Sequence, residues 1–147
     1  MLLGAAWAGT AIENSMLGAA HSAANPLTAH FGIVHGQAVG MMLPHVVRYN
    51  AQEPLAAQTY ADLARIARLD SHGDAPAVVA DHLAERLTQL LDMAQLPRSL
   101  SQFGVTPADL PNLAYEAAAQ WTAQFNPRPT VAADFQAIYA AALTPAG

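Results

Sequence analysis

The chain has 147 residues, the length of one domain, and 53% of them are hydrophobic, which predicts either a well-filled core or a face covered by another domain. It contains no cysteine, so disulfides and thiolate metal sites are excluded and any metal must be held by imidazole, carboxylate or water. The formal net charge is −5 and no basic run occurs, which argues against a nucleic-acid partner.

The N-terminal residues 2–24 are predicted to form one helix, because they are rich in Ala, Leu and Met. Their apolar run is too short to span a bilayer, no basic residue precedes it, and Glu13 interrupts it. We therefore expect a buried core helix rather than a signal peptide, and a cytoplasmic location by default. The glycines of this helix are expected to mark close approach by another part of the backbone.

Four residues of this first segment repeat at i, i+4 spacing and would share one stripe of the helix: Glu13, Leu17, His21 and Asn25. The stripe either lines a polar cleft or lets Glu13 and His21 hydrogen-bond each other. Pro26 disfavours helix at the residue before it, so residues 25–34 are predicted to be a connector. His30 in this connector is expected to be solvated or locally hydrogen-bonded.

A second helix is predicted from His35 to Asn50, with an apolar body and a first turn packed through glycine and alanine. His45 within it is expected to be a packed core histidine rather than a ligand. His21 near the end of one helix and His35 at the start of the next can converge on one point, which is a common way to build half of a metal site.

The rest of the chain reads as further helices, so we predict an all-α bundle of about six or seven helices. A third helix is predicted over residues 58–68, with Tyr60, Leu63 and Ile66 on one face. A fourth is predicted over residues 75–93, after a loop that holds His72 as solvated surface. His82 on the fourth helix is expected to serve helix packing.

Two helix starts are predicted near the C-terminus from capping patterns. Thr106 as N-cap and Pro107 at the first helical position favour a fifth helix that runs to about residue 124. Thr130 is predicted to cap the last helix, over residues 131–143.

The segment around the two histidines resembles the C-terminal helical domain of the iron-containing (group III) alcohol dehydrogenases. The two positions of that family's ligand histidines are kept fourteen residues apart, at His21 and His35. A closing Asn-Pro-Arg-Pro segment at residues 126–129 also resembles the family, so the resemblance extends from about residue 1 to 145. The residues that match the central signature are His21, Pro26, Leu27, His35, Gly36, Ala38, Leu43, Pro44, His45, Arg48, Tyr49 and Asn50.

The resemblance implies a dehydroquinate synthase-like helical domain whose His21 and His35 ligate a divalent metal, Fe²⁺ first, with Zn²⁺ or Ni²⁺ as substitutes. It implies a metal-dependent NAD(P) alcohol dehydrogenase that acts on a small alcohol or aldehyde and forms a homo-oligomer. We expect residues 1–147 to be one C-terminal domain that lacks the N-terminal nucleotide-binding domain, which would hold NAD or NADP. We therefore expect the isolated chain to be inactive.

Two departures from the family pattern bear on the chemistry. Asn25 stands where the family has a histidine beside the substrate and nicotinamide, and an amide cannot titrate near neutral pH, so a proton relay there is not expected. Val34 stands where the family usually has proline. Two alternatives stay open: a non-catalytic helical packing or interaction module, and a relative of glycerol dehydrogenase or maleylacetate reductase. Glu13 is a weaker candidate ligand.

Overall fold

The computed structural model describes residues 2–69 and 73–143. Within these ranges the chain forms seven α-helices, no strand, and two short 3₁₀ helices, at Leu100–Phe103 and Trp121–Phe125. The all-α prediction is confirmed. None of the described helices is both long and apolar enough to cross a membrane. The α-helices are α1 (Leu2–Ser15), α2 (Ala19–Phe31), α3 (His35–Asn50), α4 (Pro54–Ile66), α5 (Pro76–Met93), α6 (Leu110–Ala118) and α7 (Ala132–Leu143).

The main core lies between α2, α3, α6 and α7, and it fixes the two helices that carry the candidate ligands. Its largest fully buried side chains include Leu27 of α2, Met41 of α3, and Phe135 and Tyr139 of α7. The Tyr139 hydroxyl donates a 2.7 Å hydrogen bond to the main-chain carbonyl of Ala23, which ties α7 to α2. A second, smaller cluster joins α4 to α5.

The predicted single helix over residues 2–24 is wrong, because the helix breaks between Ser15 and Ala19. Met16 has a left-handed φ of 65°, and Gly18 is extended at the start of α2. A Cβ on Gly18 would lie 3.2 Å from Oδ1 of Asn126, so here the glycine does mark a close approach. The Gly4 and Gly9 positions have no such neighbour.

The expectation that the first helix is buried is also wrong. No residue of α1 is buried, and Leu2 and Trp7 are 89% and 69% exposed. The break at residues 16–18 separates α1 from the core that α2 enters. The apolar side chains of α1 are therefore exposed on the surface of this chain.

Asn25 and Pro26 do not begin a connector. They lie inside α2, which continues to Phe31 and ends at Gly32, whose φ of 63° gives the usual left-handed C-cap. Pro26 cannot donate a main-chain hydrogen bond, but its ring is fully buried in the core. Burial therefore outweighs the local preference of proline against a helix interior.

The predicted apolar face of the third helix is wrong. Leu63 and Ile66 are 51% and 81% exposed, while α4 packs against α5 through a row of alanines. Small side chains fill the narrow space between these two helices, and the larger ones remain outside. The alanines that cluster with Val79 of α5 are Ala61 and Ala64.

The predicted fourth helix is confirmed, but both capping predictions near the C-terminus are wrong. The Thr106 N–H and hydroxyl both donate to the Asp109 carboxylate, at 2.8 and 2.7 Å, and close a turn before α6 begins at Leu110. The fifth helix is also shorter than predicted, since α6 ends at Ala118. Among the residues that the structure describes, the Thr130 hydroxyl has no hydrogen-bond partner, and the Asp134 carboxylate accepts from the Val131 N–H instead. The prediction for His72 lies outside the described residues.

Candidate metal centre

The structure brings His21 and His35 together. Their ring centroids lie 5.4 Å apart, and the ring planes are tilted by 49°. His21 lies in the first turn of α2, not near the end of a helix as predicted, because the chain breaks at residues 16–18; His35 begins α3, at its predicted position. The left-handed turn at Gly32 and the buried side chain of Ile33 hold α3 against α2, so the convergence follows from the core.

The electrostatics at His21 favour a neutral imidazole. Partial burial, and secondarily the charge that His35 would carry, lower the pKa of His21 from its usual 6.5. At neutral pH the His21 ring is therefore neutral and keeps a lone pair, which is the form that binds metals. His35 is exposed, so the pair lies at the surface and is accessible to a ligand.

The donor set fits half of a metal site. Two imidazoles that share one tetrahedral ion at Zn–N distances of about 2.0–2.1 Å place their centroids roughly 5 Å apart, close to the observed separation. Across residues 2–69 and 73–143, no group of three or more His, Cys, Asp or Glu side chains is placed to hold a metal. These ranges thus offer two nitrogen donors, and the other positions would need water or donors from elsewhere.

Asn25 lies one helical turn after His21 on α2, so the two side chains share a face. Its Nδ2 donates a 2.9 Å hydrogen bond to Oε1 of Gln120, just before the second 3₁₀ helix. Sequence reasoning did not find Gln120, because the two residues are 95 positions apart and no local pattern links them.

Glu13 does not join the histidines. It lies on the exposed helix α1, before the break at residues 16–18, so the predicted stripe with His21 and Asn25 is wrong. The structure also gives no hydrogen bond between Glu13 and His21 in the part of the chain that it describes.

The described histidines outside the pair have other roles. His30 is exposed and lies on α2 rather than in a connector; it contacts the Glu116 carboxylate of α6 at 2.8 and 2.9 Å, 86 positions away, so the prediction of a local partner is wrong. His45 is largely buried, and its desolvation, with a smaller effect of Arg48, lowers its pKa to about 4. This confirms the prediction of a packed core histidine.

The closing Asn-Pro-Arg-Pro segment holds the ends of α2 and α3 in place. Asn126 exchanges two hydrogen bonds with Asn50 at the end of α3 and accepts a third from the Ala19 N–H at the start of α2. Arg128 stacks 3.9 Å over the ring of Tyr49 and donates to its main-chain carbonyl. The closing segment at residues 126–129 thus contacts the end of the central signature, at Tyr49 and Asn50.

Comparison with known proteins identifies the family of this chain. The sequence profile described as "Fe-containing alcohol dehydrogenase family, C-terminal" matches residues 1–143. The chain belongs to this family. Its members include alcohol and aldehyde dehydrogenases, so the predicted resemblance is confirmed.

Similar proteins and structures support the assignment. Lactaldehyde reductase of Escherichia coli (strain K12) is 32% identical over 139 residues, which are 95% of this chain and 36% of that protein. 1,3-Propanediol dehydrogenase of Klebsiella pneumoniae is 33% identical over 122 residues, 82% of this chain and 31% of that protein. The chain thus spans about a third of these relatives.

Among solved structures, the alcohol dehydrogenase from Oenococcus oeni superposes with a TM-score of 0.83 at 29% identity, over 92% of this chain and 35% of that one. A 1,3-propanediol oxidoreductase gives 0.80 at 29% identity, over 87% of this chain and 33% of that one. The helical bundle is therefore the family's fold.

Proposed function

We propose that this domain supplies the two-histidine half of the metal centre in a metal-dependent NAD(P) alcohol dehydrogenase. The reaction would interconvert an alcohol and an aldehyde by hydride transfer. The observation that carries the proposal is that the ring centroids of His21 and His35 lie 5.4 Å apart in a chain of this family.

His21 and His35 would hold a divalent metal through ring nitrogens, with Fe²⁺ as the first candidate and Zn²⁺ or Ni²⁺ as substitutes. A bound divalent metal polarises the substrate oxygen and stabilises the alkoxide. Partial burial of His21 keeps its ring neutral for this task. Asn25 would contact the substrate through its amide, and NAD or NADP would be held by a nucleotide-binding domain outside these residues.

The substrate class is proposed to be a small alcohol or aldehyde. The names of the similar proteins support this, since they include a lactaldehyde reductase and two 1,3-propanediol dehydrogenases. A homo-oligomer is proposed because apolar side chains such as Leu2 and Trp7 of α1 are exposed in the single chain.

Metal binding tests the proposal. Co²⁺ binding to the 147-residue chain would be measured by equilibrium dialysis for the wild type, His21→Ala, His35→Ala and the double variant. We expect each single variant to lose at least about tenfold in affinity, since one of two donors is removed. His30→Ala is the control, because His30 is on the same helix as His21 but pairs with Glu116.

Circular dichroism of the same variants separates metal binding from folding. Because His35 is exposed, His35→Ala is expected to keep the helical spectrum. Unchanged Co²⁺ binding in the double variant would contradict the proposal and favour a packing module. The purified chain with NAD and 1,3-propanediol is expected to show no turnover, and turnover would refute the need for a nucleotide-binding domain.

A further inference from the structure

Two hydrogen bonds between amide groups connect the candidate site to helix α6. Asn25 Nδ2 donates to Gln120 Oε1 at 2.9 Å, and Gln120 Nε2 donates to the main-chain carbonyl of Glu116 at 3.5 Å. Asn25 and Gln120 are both partly buried. The Glu116 carboxylate does not compete for the Gln120 amide, because it is engaged by His30 and Asn112.

The Glu116 carbonyl determines how the two side-chain amides are oriented. A main-chain carbonyl only accepts hydrogen bonds, so it draws the Nε2 end of Gln120 and turns Oε1 towards Asn25. Asn25 must then offer Nδ2, and its Oδ1 is left over. In the described ranges 2–69 and 73–143 the structure gives Asn25 Oδ1 no hydrogen-bond donor.

We infer that Gln120 is a positioning residue that holds the Asn25 amide, one helical turn after His21, so that its Oδ1 is the atom available to accept from a ligand. This deepens the proposed function and rests on it for the identity of the ligand. An acceptor at this place binds a hydrogen-bond donor, so it recognises the alcohol through an O–H group that keeps its proton and is not the oxygen held as the alkoxide. The site's preference between donor and acceptor groups is therefore set from residue 120.

Three substitutions of Gln120 separate orientation from packing. Gln120→Glu gives up the bond to the Glu116 carbonyl but needs no anchor to present an acceptor towards Asn25, since both of its oxygens accept; it is expected to behave as the wild type. Gln120→Met keeps the length but removes the bond. Gln120→Lys can only donate, so it should turn the Asn25 amide and direct Oδ1 away from the site. The control is Gln124→Met, on the exposed side of the adjacent 3₁₀ helix.

The first readout is hydrogen exchange of the Asn25 side-chain amide, followed by ¹⁵N NMR on the whole 147-residue chain without metal. We expect exchange of the bonded Nδ2 proton to rise by up to about tenfold in Gln120→Met and Gln120→Lys, the equivalent of one hydrogen bond. Gln120→Glu and Gln124→Met should leave it unchanged. Unchanged exchange in both Met and Lys variants at position 120 would overturn the inference, and so would a Glu variant that resembles Met.

The second readout is steady-state kinetics in the complete dehydrogenase. Gln120→Met and Gln120→Lys are expected to raise KM for the alcohol by up to about tenfold with a smaller change in kcat, since one ligand hydrogen bond is lost. Gln120→Glu should restore the wild-type KM. Equal KM values in all variants would overturn the substrate part of the inference. Because the exchange experiment uses no metal, its failure is distinct from a failure of the His21 and His35 tests.

Discussion

The Asn126 side chain is expected to be the most sensitive polar position in the fold. It is 8% exposed, accepts from the Ala19 N–H and from Asn50 at 3.3 and 3.2 Å, and donates to Asn50 and to the Arg128 carbonyl at 2.7 Å each. Asn126→Ala removes all four hydrogen bonds and leaves the buried Asn50 amide without most of its partners. At about 0.5–1.5 kcal/mol for each bond, we expect the free energy of unfolding to fall by about 2–6 kcal/mol.

Urea denaturation followed by circular dichroism measures this change. Asn126→Asp has nearly the same size but cannot donate to Asn50 or Arg128, so it should destabilise the chain by a similar amount. Asn112→Ala is the control, because Asn112 is exposed, makes one bond to Glu116, and should cost less than about 0.5 kcal/mol. A loss below about 1 kcal/mol in Asn126→Ala would refute the idea that this network holds α2 and α3 together.

Two further predictions concern buried titratable side chains. His45 has a pKa of about 4 in the fold and 6.5 when unfolded, so the unfolded chain binds the proton first and stability falls as pH drops from about 6.5 towards 4. The loss due to His45 should reach about 2–3 kcal/mol in urea titrations at several pH values. It should be much smaller in His45→Leu, where the lowered pKa of His21 still contributes. An equally steep loss in that variant would contradict the assignment to His45. Tyr139→Phe removes the buried hydrogen bond to the Ala23 carbonyl and should lower the free energy of unfolding by about 1 kcal/mol. Thermal denaturation measures this change. An unchanged Tm would show that the bond does not stabilise the fold.

Local features of the sequence were enough to predict the candidate ligands. The start of α3 at His35 follows from the local pattern, but His21 lies at the start of α2 and not at the end of a helix as predicted, so the two rings meet through the packing of α2 against α3. Their role as metal ligands stays a prediction. Local rules failed at Pro26, where burial of the ring keeps α2 intact through the proline, and at Leu63, where alanines rather than larger side chains form the packed face.

The partners of the site could not be predicted because they come from distant parts of the chain. Gln120 meets Asn25 across 95 positions, and Asn126 meets Asn50 across 76. No helical or capping periodicity spans such distances, so these contacts depend on how α2, α3 and the segment after α6 pack together. The break before α2 had a local signal in Gly18, whereas the close approach of Asn126 to that glycine is likewise a tertiary contact.

The central claim is that His21 and His35 bind one metal ion together. NMR correlations of the imidazole nitrogens report on each histidine separately. They would be recorded during titration with Zn²⁺. We predict that the signals of His21 and His35 change together and saturate at one equivalent, while those of His30, His45 and His82 stay in place. The account would be contradicted if the signals of His30 or His82 changed while those of His21 did not. It would also be contradicted if the His21 and His35 signals saturated at different ratios of Zn²⁺ to protein.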